Sequence, residues 1–110
     1  MEYWFEEGCF IDEWSNTALD PECSIAHVRL PATRQTRWHI LKGTTERYVI
    51  LQGEGMVEIG DAPARHVKAG DVVIIPAGQR QRVLNAGPQE LLFLAICTPR
   101  FLAGNYSDVG

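Results

Sequence analysis

Turn residues punctuate this chain so closely that its regular segments must be short. Gly53, Gly55, Gly60, Gly70, Gly78 and Gly87 divide the middle of the sequence, and Pro76, Pro88 and Pro99 add further stops. Between these stops lie β-like runs. Ser24 to Leu30 is β-branched and mixed, and Glu46 to Leu51 alternates polar with apolar residues. Met56 to Ile59 runs into Gly60-Asp61, a strong turn pair, and Val72 to Ile75 is halted by Pro76-Ala77-Gly78. Arg82-Val83-Leu84 leads to the turn-rich Asn85-Ala86-Gly87-Pro88, and Leu91 to Cys97 follows as an apolar run. No stretch sustains a 3.6-residue apolar period for three turns. The nearest helical segments are Phe10 to Trp14 and Phe101 to Tyr106. Short strands with turns every 8–12 residues or so predict an all-β sandwich or barrel.

The chain has 110 residues, room for one domain, since domains run to roughly 100–200 residues. Such a length buries enough surface for one core without disulfides or metal as scaffolding. Ten Lys+Arg against 14 Asp+Glu give a net charge of −4, which argues against nucleic-acid and anionic-membrane partners. The longest apolar run, Leu91 to Cys97, falls far short of the ~20 residues that span a bilayer. The residues after Met1 lack the basic and apolar regions of a secretory leader. Cys9, Cys23 and Cys97 are odd in number and far apart, so no disulfide framework is expected and a reducing cytoplasm is the expected location.

Two spaced motifs go beyond generic β patterning. One runs His39-Ile40-Leu41, four residues, Glu46, six residues, Gly53. The other runs Gly70, five residues, Pro76-Ala77-Gly78, two residues, Gln81, three residues, Asn85. Together they resemble the two motifs of the cupin superfamily, and the short gap from Gly53 to Gly70 is similar to that of small single-domain bacterial members. The resemblance implies a double-stranded β-helix, or jelly-roll barrel, over about residues 24–97, with an N-terminal arm at 1–23 and a C-terminal tail at 98–110. It also implies four inward ligands: His, His, Glu and His. Here His39 and Glu46 stand at the first and third positions, but Leu41 and Gln81 replace the second and fourth. The opening glycine of the first motif falls on Thr33.

Strand residues two apart share a face. If His39 and Glu46 face the lumen, Arg37, Leu41, Tyr48, Ile50 and Val83 face it too, and Gln81 shares the face of Val83. These positions outline a pocket with apolar walls and few polar groups. On the metal reading, His39, Glu46 and Gln81 hold one divalent ion, with Fe, Mn, Ni and Zn not distinguished. On the competing reading the same three residues form a hydrogen-bonded polar cluster. His27 can stand in as a ligand only if its side of the strand faces inward. Cys97 is read as packing, although it too can face the lumen, and His66 is read as solvated.

Three functions remain open. The first is a metal-dependent enzyme of the dioxygenase, isomerase or decarboxylase type, with Arg37 orienting an anionic substrate. The second is a metal-free acid–base enzyme using His39, Glu46 and Tyr48. The third is a pocket that binds a small, anionic metabolite without turnover. The resemblance implies a homodimer, and Tyr3-Trp4-Phe5 is the expected partner contact.

Overall fold

The computed structural model describes Met1–Gly110. Eleven strands follow one another: β1 (Glu2–Phe5), β2 (Cys9–Ser15), β3 (Ser24–Leu30), β4 (His39–Leu41), β5 (Thr45–Gln52), β6 (Glu54–Ile59), β7 (Arg65–Lys68), β8 (Val72–Ile75), β9 (Arg80–Leu84), β10 (Leu91–Thr98) and β11 (Tyr106–Asp108). They form two antiparallel sheets. The larger has the order β1-β2-β3-β10-β5-β8 and the smaller β11-β4-β9-β6-β7. The chain is thus all-β, as the turn spacing requires.

Alternation decides which side chains meet between the sheets. Along β10, Leu91, Phe93, Ala95 and Cys97 are buried while the residues between them are not. Along β5, Glu46, Tyr48 and Ile50 take the buried side. Phe93, Leu30, Ile75, Leu91, Val57, Val67, Val73 and Val83 fill the core. Each such side chain contributes about 1.5–3 kcal/mol through burial. The polar residues Glu46, His39 and Gln81 share this interior with them.

Both ends of the chain differ from expectation. Phe10 to Trp14 is not helical. Residues 9–15 form β2, which pairs with β1 on one side and β3 on the other, because ladder bonds to two neighbours outweigh a weak local helical preference. Phe101 to Tyr106 holds only one 3₁₀ turn, Ala103–Asn105, before β11 pairs with β4. Glu2–Phe5 and Cys9–Ser15 therefore belong to the larger sheet, and Tyr106–Asp108 forms an edge of the smaller one. No helix is long and apolar enough to cross a membrane.

Two turns illustrate the backbone demand. Gly53 has φ +90°, and an added Cβ would sit 2.6 Å from the Glu90 carbonyl oxygen, so only glycine fits between β5 and β6. Thr33 has φ +64°, a left-handed conformation that a β-branched residue resists. The motif's glycine position thus keeps glycine's conformation after losing the glycine.

Candidate functional site

β4 and β5 lie in opposite sheets, and their inward residues His39 and Glu46 approach across the interior. β4 pairs with β9 so that His39 stands opposite Gln81. The Tyr48 hydroxyl donates to Gln81 Oε1. Beyond that bond, Gln81 Nε2 and Glu46 Oε1 are both buried without a hydrogen-bond partner. The four side chains placed together by motif spacing and strand parity are therefore brought together.

A fifth group, Glu7, arrives from the turn between β1 and β2. Its position is set by backbone: Arg37 N–H donates to the Glu7 carbonyl at 2.7 Å. The Arg37 carbonyl in turn accepts from His39 Nδ1 at 2.7 Å. Since a carbonyl only accepts, Nδ1 must carry a proton, and Nε2 is the atom free to exchange one. That Nε2 lies 3.1 Å from Glu7 Oε1. Cys9 Sγ donates to Glu7 Oε2 at 3.4 Å. The Tyr106 ring stacks on the imidazole with centroids 5.5 Å apart.

Burial dominates the electrostatics. It raises the Glu46 carboxyl to about 7; the nearby Glu7 adds to the rise, while His39, Gln81 and Tyr48 oppose it. It likewise raises Glu7 to about 7 against the thiol hydrogen bond from Cys9, and lowers His39. The 3.1 Å contact between Glu7 and His39 favours the opposite, charged arrangement. Tyr48 is pushed well above its usual range by burial and then by Glu46, so it remains a neutral donor. Burial also raises the Cys9 and Cys97 thiols, which removes both as thiolate nucleophiles at neutral pH.

Beside this cluster a cavity runs from the exposed Tyr3 and Glu13 inward to the buried Glu46, Tyr48, Phe93 and Cys97. Its enclosed volume is about 50 Å³, and it opens to solvent at the mouth. Leu41, Glu46, Tyr48 and Cys97 line it. Gln81 does not line it and touches it only through Tyr48; His39 does so only through Glu7.

Other assignments need correction. Arg37 points to solvent, with its side chain 54% exposed and paired with Asp108. It precedes β4, so strand alternation does not govern it. Ile50 and Val83 are core residues away from the cavity. His27 lies on the outer face of β3, stacked 5.2 Å from Trp14. Glu7 itself was missed, because nothing in Glu6-Glu7-Gly8 announces that its turn folds inward. His66 is exposed beside Glu54, and Trp38 carries the guanidinium groups of Arg80 and Arg82 at 4.3 and 4.6 Å.

The donor set does not fit a metal ion. His39 has one nitrogen on a carbonyl and the other on Glu7, Gln81 Oε1 already accepts from Tyr48, and Leu41 offers no donor. No three His, Cys, Asp or Glu side chains are grouped to hold a cation.

Two closed-over antiparallel sheets with polar side chains converging between them define a double-stranded β-helix barrel. The family model described as Cupin domain matches residues 26–97, and the chain belongs to the cupin family. Solved structures agree in fold. An uncharacterized conserved protein with a double-stranded β-helix domain from Klebsiella pneumoniae superposes with a TM-score of 0.82 at 17% identity, over 98% of this chain and 90% of that one. The nucleoside dehydratase Pac13 from Streptomyces gives 0.82 at 14% identity, over 99% and 83%. A predicted oxalate decarboxylase from Thermotoga maritima gives 0.75 at 28% identity, over 83% and 80%. No curated protein matches the chain.

Proposed function

We propose that this cupin binds a small molecule with a largely apolar body inside its barrel, and that it does so without a resident metal. The observation that carries this reading is the cavity itself: twelve of its seventeen lining residues are apolar, and an unpartnered Glu46 oxygen waits at its buried end. A site that combines apolar walls with a few convergent polar groups orients a ligand by its polar end. The anionic metabolite expected from Arg37 loses its support, because that guanidinium lies outside and three glutamates line the cavity. The likeness to the Thermotoga protein supports a small-molecule site. Oxalate itself is a dianion that these glutamates would repel.

The test is calorimetry with small neutral aromatic alcohols, on the wild type and on Ala95→Val, which narrows the cavity by two methyl groups. Binding to the wild type that is weakened in the variant supports the reading. Absence of binding by every alcohol, or equal binding to both proteins, refutes it.

One observation favours a second reading, a metal-free acid–base enzyme. His39 Nε2 lies 3.1 Å from Glu7 Oε1 beside Glu46, whose carboxyl burial raises to about 7, near the ideal for proton transfer at neutral pH. A bound ligand that is turned over, with turnover but not binding lost in Glu46→Gln, supports this role.

We also propose a homodimer through the outer face of β5, β8 and β10, where Val72 and Ile74 stand exposed beside Val49, Leu94 and Ile96. Sedimentation as a monomer at high concentration refutes it.

A further inference from the structure

The geometry points to an organic ammonium ion, a small amine whose cationic end enters the cavity while its apolar body rests at the aromatic mouth, as the ligand of this site. The inference rests on the preceding reading that the cavity is a ligand site, and it names the chemistry of the ligand's polar end.

Charge comes first. Glu7, Glu13 and Glu46 all line the cavity, and no lysine, arginine or histidine lines it. Arg37, which strand parity would aim inward, is turned outward to Asp108. An anion entering here meets three carboxyls whose one basic neighbour, His39, sits behind Glu7, whereas a cation supplies countercharge. Glu13 stands exposed at the mouth, and Glu7 and Glu46 stand within, so the negative groups follow the path inward.

Hydrogen bonding comes second. Glu46 is only 7% exposed, and its Oε1 has no partner. An ammonium group has three donors and no acceptor, which suits a site whose unfilled capacity lies on carboxyl oxygens. Gln81 Nε2, behind Tyr48 and outside the cavity, is an unfilled donor; of the other polar side chains lining the cavity, two are already engaged. Ser24 Oγ accepts from Phe101 N–H, and Asn16 Oδ1 accepts from Arg100 Nε. The cavity thus directs a donor-rich group toward Glu46.

The walls come third. Tyr3, Phe5, Tyr48, Phe93 and Phe101 contribute five aromatic rings. Ring faces attract cations as well as packing against an apolar body. The same wall therefore accepts both ends of one amphipathic amine.

The experiment compares three probes of one shape, benzylamine, benzyl alcohol and benzoate, by calorimetry at mildly alkaline pH with the full chain. Benzylamine is expected to bind roughly tenfold or more tightly than benzyl alcohol, with benzoate weakest. In Glu46→Gln, an isosteric change, the preference for the amine over the alcohol should fall by about tenfold while alcohol affinity stays nearly constant. The probe ranking on the wild type stands by itself if the variant folds poorly. Equal affinity for amine and alcohol, or benzoate binding best, overturns the ammonium inference and leaves the apolar-ligand reading standing. Failure of all three probes overturns both.

Discussion

Glu46→Gln should make the protein more stable above neutral pH and flatten its dependence on pH. In the unfolded chain the Glu46 carboxyl ionises near its ordinary 4.5; in the folded barrel, burial holds it protonated until about 7. The folded state therefore binds the extra proton in this window. The associated stability is fully present below about 4.5 and is lost as pH rises through about 7. A displacement from 4.5 to about 7 corresponds to a loss of roughly 3 kcal/mol at 1.36 kcal/mol per pH unit. Glutamine fills the same volume and cannot ionise, so the variant escapes that loss. Glu7, also raised by burial to about 7, leaves a residual slope in the variant. His39 is held below its usual value and works in the opposite sense in the acidic range, but it is present in both proteins and largely cancels in their difference. Urea unfolding followed by tryptophan fluorescence, from about pH 5 to pH 8, measures that difference. Parallel profiles for the two proteins, or a wild type that gains stability across the upper half of the window, would refute the burial argument.

Three further outcomes follow from individual residues. Tyr48→Phe removes the hydroxyl that Gln81 Oε1 accepts from, leaving a buried amide unpaired at both ends, and should cost about 1–3 kcal/mol in urea unfolding. Thr33→Gly relieves a left-handed conformation worth about 1–2 kcal/mol, offset by glycine's greater chain entropy of about 0.5–1 kcal/mol; the thermal midpoint should hold or rise, and a clear fall counts against the strain. Gly53→Ala forces a Cβ to 2.6 Å from the Glu90 carbonyl at positive φ and should lose roughly 3 kcal/mol, with an unchanged midpoint contradicting the close approach.

The barrel was legible because its strands obey one local rule. Alternation along Glu46 to Leu51 and the turn residues between runs are properties of neighbouring residues, and ladders such as β5 with β10 reproduce them. The meeting of His39, Glu46, Tyr48 and Gln81 was legible from motif spacing combined with strand parity. Arg37 marks where that reasoning stops. Parity holds only inside a strand, and two residues before β4 the chain turns the guanidinium to Asp108. Ile50 and Val83 show a second limit, since facing inward does not distinguish filling the core from lining a cavity. Phe10 to Trp14 shows a third, because a strand flanked on both sides is set by its distant partners. Glu7 lay beyond reach for the same reason: a turn glutamate acquires its role only when β1 and β2 dock.

That docking divides the labour of the protein. Glu7 lies outside residues 26–97, the segment that identifies the family, and is carried on the tip of a hairpin at the edge of the larger sheet. The barrel supplies a shaped interior, while the hairpin supplies the carboxyl that faces His39 Nε2 and part of the cavity's charge. Replacing Glu7 alone would change the charge of the pocket while residues 26–97 stay as they are, so a match to the family model does not by itself specify a ligand.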